Sequence, residues 1–195
     1  MTLPAAGSAP DLASELKRAP EDLAARLIGA TLTFAGVGGL VVETEAYDAA
    51  DPASHSFAGP TLRNAAMFGR PGTAYVYRSY GRHWCLNIVC GSRPGGAVLF
   101  RALQPLEGLD AMRKRRGTDN LRLLSTGPGR LCQALGITGA VDGESMLAAP
   151  FDLTLADGGR EVVCGRRIGI TKAQDRPWRF GLAGSQFLSR PFSER

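Results

Sequence analysis

The stretch "VVETEAY", residues 41–47, sets two carboxylates and a phenol at alternate positions. As a β-strand it turns Glu43, Glu45 and Tyr47 to one face and Val42, Thr44 and Ala46 to the other. The carboxylates would then stand roughly 7 Å apart beside an aromatic ring, an arrangement open to hydrolytic chemistry and also to a plain solvated sheet face. Arg101, inside "AVLFRAL", favours chemistry. Alternation gives it Leu99 and Leu103 as neighbours, and a guanidinium among leucines needs a carboxylate, because an unpaired buried charge is costly. Glu43 or Glu45 could supply it. Tyr75 and Tyr77 of "YVY" share a face and add aromatic platforms. Tyr80 falls at the turn between two strand-like runs in "AYVYRSYGRHWCLN", a place usually given to small polar residues. It either folds back over a neighbour or is held in water for a purpose.

The elements that would position these residues alternate in type along the chain. A helix is expected over 19–30, with Pro20 in its first turn. Two strands around a glycine turn follow in "TLTFAGVGGLVVETEAY", then a loop, "DAADPASHSFAGP", and a short helix in "TLRNAAMFG". Residues 74–90 read as a hairpin and "GAVLFRAL" as a strand. Leu106, Leu109 and Met112 give a helical stripe ending in "RKRR", which suits either a solvated helix end or phosphate contact. "STGPGRLCQALGI" reads as a helix capped by Ser125 or Thr126. The fold class is α+β: a single domain with a largely antiparallel sheet, surrounding helices and a protruding hairpin. Residues 1–18 are expected to be a disordered tail and 19–195 the domain.

Composition narrows the function classes. The 195 residues carry a formal net charge of +5, which suits a polyanionic partner. No apolar run approaches the roughly 20 residues of a membrane span, and the start lacks the layout of a secretory signal, so a cytoplasmic location is expected. The 4 cysteines have no paired CxxC spacing and the 2 histidines are His55 and His83, which suggests neither a zinc site nor a disulfide framework. No metal or cofactor is expected.

The order and wording of several segments resemble the alkyladenine DNA glycosylase family, also called methylpurine or 3-methyladenine DNA glycosylases. They are "VVETEAY" with His55 in "ASHS", "TLRNAAMFGRPGTAYVYRSYG", "LNI", "VLFRALQPLEGLDAMR", "TGPGRLCQALGI" and "RIGITKAQDRPWRF". The resemblance implies a monofunctional enzyme that hydrolyses the N-glycosidic bond of damaged purines flipped out of double-stranded DNA, acting as a monomer without a cofactor. It gives Glu45 the general base's part and leaves Glu43 as a neighbour whose replacement by glutamine should be mild. Arg101 matches the arginine that helps Glu45 hold water. Tyr47 and Tyr77 match the rings around the flipped base, His55 the histidine closing the pocket, and Asn87 the asparagine at its floor. Tyr80 matches the intercalating wedge, and Arg82, Arg116 and Arg130 are expected DNA contacts. The three lysines, Lys17, Lys114 and Lys172, lie far in sequence from the E-T-E-A-Y and hairpin motifs, although folding could bring one close, and no lyase chemistry is expected. Two other readings of the residues are a non-catalytic nucleic-acid-binding module and a glycoside hydrolase using Glu43 with Glu45.

Overall fold

A computed structural model describes residues 11–192. Its strands are β1 (Thr31–Phe34), β2 (Val37–Tyr47), β3 (Ala74–Ser79), β4 (His83–Cys90), β5 (Gly96–Glu107), β6 (Phe151–Thr154), β7 (Val162–Gly165) and β8 (Arg179–Leu182). All pair antiparallel in one sheet, ordered β3-β4-β5-β2-β1-β6, with β8 also pairing β2 and β7 pairing β8. Helices α1 (Leu12–Glu15), α2 (Pro20–Arg26), α3 (Leu109–Arg116), α4 (Leu121–Leu124) and α5 (Pro128–Leu135) complete the expected α+β class.

Period-two alternation divides the sheet's faces. Ala74, Val76, Leu86, Ile88, Val98 and Phe100 enter the main core with residues of α2 and α5. Their neighbours Tyr75, Val89 and Ala97 form a second cluster with Met67, against which Tyr47 and Tyr77 pack. The chemistry-bearing residues therefore share the face opposite the main core.

β2 is the hub. One edge follows β5, while the other pairs with β1 at Val37–Leu40 and with β8 at Glu43–Glu45. Its glycines permit this: a Cβ on Gly39 would meet the Gln104 carbonyl oxygen at 2.0 Å. The close approach extends β5 to Glu107, so Leu106 lies in a strand, half exposed, rather than on the helical stripe expected from the sequence.

Two compensating bulges alter the expected alternation. Val41 pairs with Leu103, Glu43 with Ala102 and Thr44 with Phe100, leaving Val42 and Arg101 as the extra residues. Val42 consequently leaves the Thr44/Ala46 face and packs with Ala102 and Phe187. Leu103 turns into the main core, so Arg101 keeps only Leu99 of its two expected leucine neighbours on the cleft side.

Other expectations differ in detail. α2 ends at Arg26, because Gly29 turns the chain at φ 87°. "TLRNAAMFG" forms only a 3₁₀ turn, Ala65–Phe68. Neither Ser125 nor Thr126 caps α5. Their hydroxyls donate to Leu103 O (2.9 Å) and Arg122 O (2.8 Å), and Gly127 occupies the cap position at φ 115°. Within the stretch expected as a tail, residues 1–10 lie outside the described residues, but Leu12–Glu15 is helical and Leu16 is fully buried, its carbonyl accepting from Gly91 N–H. Among the described residues no helix is long and apolar enough to cross a membrane.

Candidate active site

A cleft of about 840 Å³ opens on the face of the sheet away from the main core. β2 contributes Tyr47, β3 Tyr75 and Tyr77, β4 Cys85 and Asn87, and β5 Leu99 and Arg101, while the loops before β3 and before β8 supply the other walls. The charged side chains lining it are Arg63, Arg78, Arg101 and Lys172, with no aspartate or glutamate among the described lining residues. Such a lining favours an anionic ligand.

The carboxylates stand behind this wall, both fully buried. Arg101 joins them: Nε donates to Glu43 Oε1 at 3.0 Å, and a terminal nitrogen lies 3.2 Å from Glu45 Oε2. The sequence offered Glu43 or Glu45 as partner, and the fold uses both. Glu45 Oε2 also accepts from the Tyr47 hydroxyl (2.9 Å), and Oε1 from the Ile168 N–H (2.8 Å). Glu43 Oε1 takes further bonds from Arg179 Nε (2.8 Å) and Ser189 Oγ (2.8 Å). Two carboxylates and two guanidiniums thus make a charge-balanced buried group. Burial lowers the Arg101 pKa, and the attraction of Glu45 and Glu43 more than offsets it, so the net direction is up.

The aromatic walls are tightly interlocked. Tyr75 and Tyr77 stack with centroids 5.4 Å apart, and His55 stands edge-on to Tyr77 at 4.5 Å. The Tyr75 hydroxyl bonds His55 Nδ1 at 2.8 Å. Desolvation, then the nearby Arg63, lowers the His55 pKa below 6.5, which favours the neutral imidazole near pH 7. Burial raises the phenols: Tyr75 to about 12, with Tyr47 and Tyr77 also shifted up, so all three remain hydrogen-bond donors. Asn87 is buried, and its amide nitrogen donates to Tyr75 O at 2.9 Å.

Tyr80 lines the mouth and is 88% exposed, so it does not fold back onto a neighbour. Its φ of 49° is followed by 66° at Gly81, with Arg82 N–H closing the turn on Ser79 O at 3.0 Å. A bulky residue at positive φ carries backbone strain, a feature that clusters at functional sites. Arg82 and Arg130 are exposed. Arg116 is committed internally, donating to Leu124 O (3.1 Å), Leu123 O (3.4 Å) and the Gln133 side chain. These bonds make it a staple joining α3, α4 and α5.

Sequence reasoning missed several contributors. The Ile168 N–H on Glu45 has no side-chain signature, while Arg179 and Ser189 became visible only when β8 paired with β2. Asp51 and Arg167, both buried, form an ion pair that holds a guanidinium 4.7 Å from the Tyr47 ring centroid. Lys172, distant in sequence from the E-T-E-A-Y and hairpin motifs, reaches the cleft wall.

Comparison with known proteins agrees with the residue-level resemblance. The family model described as "Methylpurine-DNA glycosylase (MPG)" matches residues 14–186. Proteins named "Putative 3-methyladenine DNA glycosylase" are similar over most of their length. The one from Nitrosospira multiformis is 63% identical over 176 residues, covering 89% of this chain and 90% of the relative. One from Rhodopseudomonas palustris is 60% identical over 178 residues, covering 90% and 85%. That from Agrobacterium fabrum is 57% identical over 171 residues, covering 88% of each. With a match spanning nearly the whole chain and relatives this similar, the chain belongs to the methylpurine-DNA glycosylase family.

Proposed function

We propose that this protein removes alkylated purines from double-stranded DNA by hydrolysing the N-glycosidic bond of a nucleotide rotated into the cleft. The observation that carries the reading is a cleft with stacked tyrosines and a wholly basic set of charged side chains, backed by a buried carboxylate that shares Arg101 with it. An extruded base lies against Tyr47 and Tyr77, with His55 closing the pocket. Bases alkylated at N3 or N7 carry positive charge, so stacking favours them by about 0.5 to 2 kcal/mol over neutral bases.

Glu45 then accepts a proton from water as the oxygen attacks C1′. The C1′–N bond breaks and its electron pair passes to the base, cancelling the positive charge. Water reaches Glu45 through Oε2, whose partners Tyr47 and Arg101 both line the cleft. Asn87, its amide pinned to Tyr75 O, resists the exocyclic amino group of normal guanine and so supplies a repulsive element of selection. Tyr80 fills the gap left in the duplex, offsetting part of the few kcal/mol that unstacking costs. Arg82 and Arg130 are proposed phosphate contacts, with Arg63 and Lys172 added by the cleft geometry. Arg116 is a further proposed contact, since its bonds to Leu124 O, Leu123 O and Gln133 use three of its five N–H groups and leave two for a phosphate.

Hydrolysis leaves the strand intact in this scheme. Lys172 sits at the wall but is exposed, whereas an amine nucleophile is activated by desolvation or a cationic neighbour. Deaminated and etheno-modified purines are proposed secondary substrates, and base excision repair the process served. The test is release of free base from duplexes carrying 3-methyladenine, 7-methylguanine, hypoxanthine or ethenoadenine. No release from any of the four, by folded protein, refutes the proposal.

A further inference from the structure

The back of Tyr47 carries a charge that the reaction does not require. Arg167 lies with its guanidinium carbon 4.7 Å from the Tyr47 centroid and 5.4 Å from that of Trp178. Tyr47 lines the cleft and Arg167 does not, so the guanidinium covers the ring face turned away from the ligand. It is fixed there by Asp51, by Ala46 O at 3.0 Å and by Ala173 O at 3.4 Å, while its buried Nε has no partner. The Asp51 and Arg167 side chains are both 0% exposed. A cation placed this carefully against an aromatic ring affects what the other face will bind.

We propose that the Asp51–Arg167 pair sets the cleft's preference between positively charged and neutral damaged bases, acting through the Tyr47 ring. The inference rests on the reading that Tyr47 stacks on the extruded base. A ring attracts cations through its negative face, and a guanidinium already drawing on that electron density leaves less for a second cation opposite. Asp51 binds at the edge of the guanidinium through its N–H groups and offsets part of the charge. Arg167 is therefore a positioning and tuning residue, and Asp51 limits its effect. The two side chains should push selectivity in opposite directions, which a simple bracing role would not do.

The experiment measures equilibrium binding to two duplexes with hydrolysis-resistant 2′-fluoro sugars, one bearing cationic 7-methylguanine and one bearing neutral hypoxanthine. The readout is the ratio of the two affinities. Arg167→Met should raise the preference for the cationic base by about 2- to 5-fold, the equivalent of one cation–π contact. Asp51→Asn, which leaves the guanidinium uncompensated, should lower it. Thermal unfolding checks that each variant is folded. If either single variant fails to fold, Asp51→Asn/Arg167→Met leaves no unpaired buried charge and should shift the ratio in the same direction as Arg167→Met. A ratio that stays constant while both affinities fall together, or moves the same way in both single variants, overturns the inference. Wild-type protein that binds neither lesion better than undamaged duplex overturns the reading of the cleft itself, and the inference with it.

Discussion

Glu43→Gln tests the buried charge group behind the cleft. The family resemblance cast this residue as a neighbour whose replacement should be much milder than that of Glu45, but its Oε1 accepts from Arg101 Nε at 3.0 Å, Arg179 Nε at 2.8 Å and Ser189 Oγ at 2.8 Å. Glu43 is 0% exposed, Arg101 6% and Arg179 4%. Replacing the carboxylate by an amide leaves two guanidiniums facing Glu45 alone, an excess of one positive charge away from water. Removing one partner from a buried pair costs about 3–5 kcal/mol. At roughly 2–4 °C per kcal/mol for a domain of this size, Tm should fall by about 6 to 20 °C. Turnover should fall as well, because Arg101 loses the contact that orients it toward Glu45. The assay pairs thermal unfolding by circular dichroism with single-turnover base release from a 7-methylguanine duplex. A Tm within about 2 °C of wild type, with unchanged single-turnover rate, would show that Glu43 neither stabilises the group nor aims Arg101.

Glu45→Gln should retain lesion binding and lose base release, since the amide cannot take a proton; near-normal turnover in a release assay would remove Glu45 from the mechanism. Tyr80→Ala should leave Tm nearly unchanged, because the side chain is 88% exposed. Its release rate on a paired lesion should drop about 5- to 150-fold, the worth of one base-sized stack, and the deficit should shrink for mispaired lesions, so equal losses in both contexts would refute the wedge. His55 has a pKa below its unfolded value, so the folded state binds its proton less readily than the unfolded chain. The associated stability is complete above about pH 6.5 and fades as pH falls through the folded pKa; His55→Gln should flatten that part of a stability–pH curve, and an unchanged slope would contradict the assignment. Borohydride treatment during turnover should trap no covalent enzyme–DNA adduct, and an adduct abolished by Lys172→Ala would establish a Schiff-base step at the cleft wall.

Much of the site was legible in the chain because strand alternation is a local property. Given "VVETEAY" and "AYVY", the two-residue period already groups Glu45 with Tyr47 and Tyr75 with Tyr77, whatever the partner strands are. Arg101 announced its need for an acid through charge alone, since burial without one is too costly. Register could not be read in this way. The extra residues Val42 and Arg101 in paired strands turn Leu103 into the core and let one guanidinium reach both glutamates. Those bulges lie where β2 pairs with β5 on one edge and with β8 on the other. The same applies to Asp51 with Arg167, 116 residues apart, and to the Ile168 N–H, 123 residues from the carboxylate it caps. The local pattern decides which side chains share a face, because each peptide unit constrains only its neighbours. Which charges meet behind that face was decided by the assembled sheet, because long-range partners are selected by burial and pairing over the whole fold.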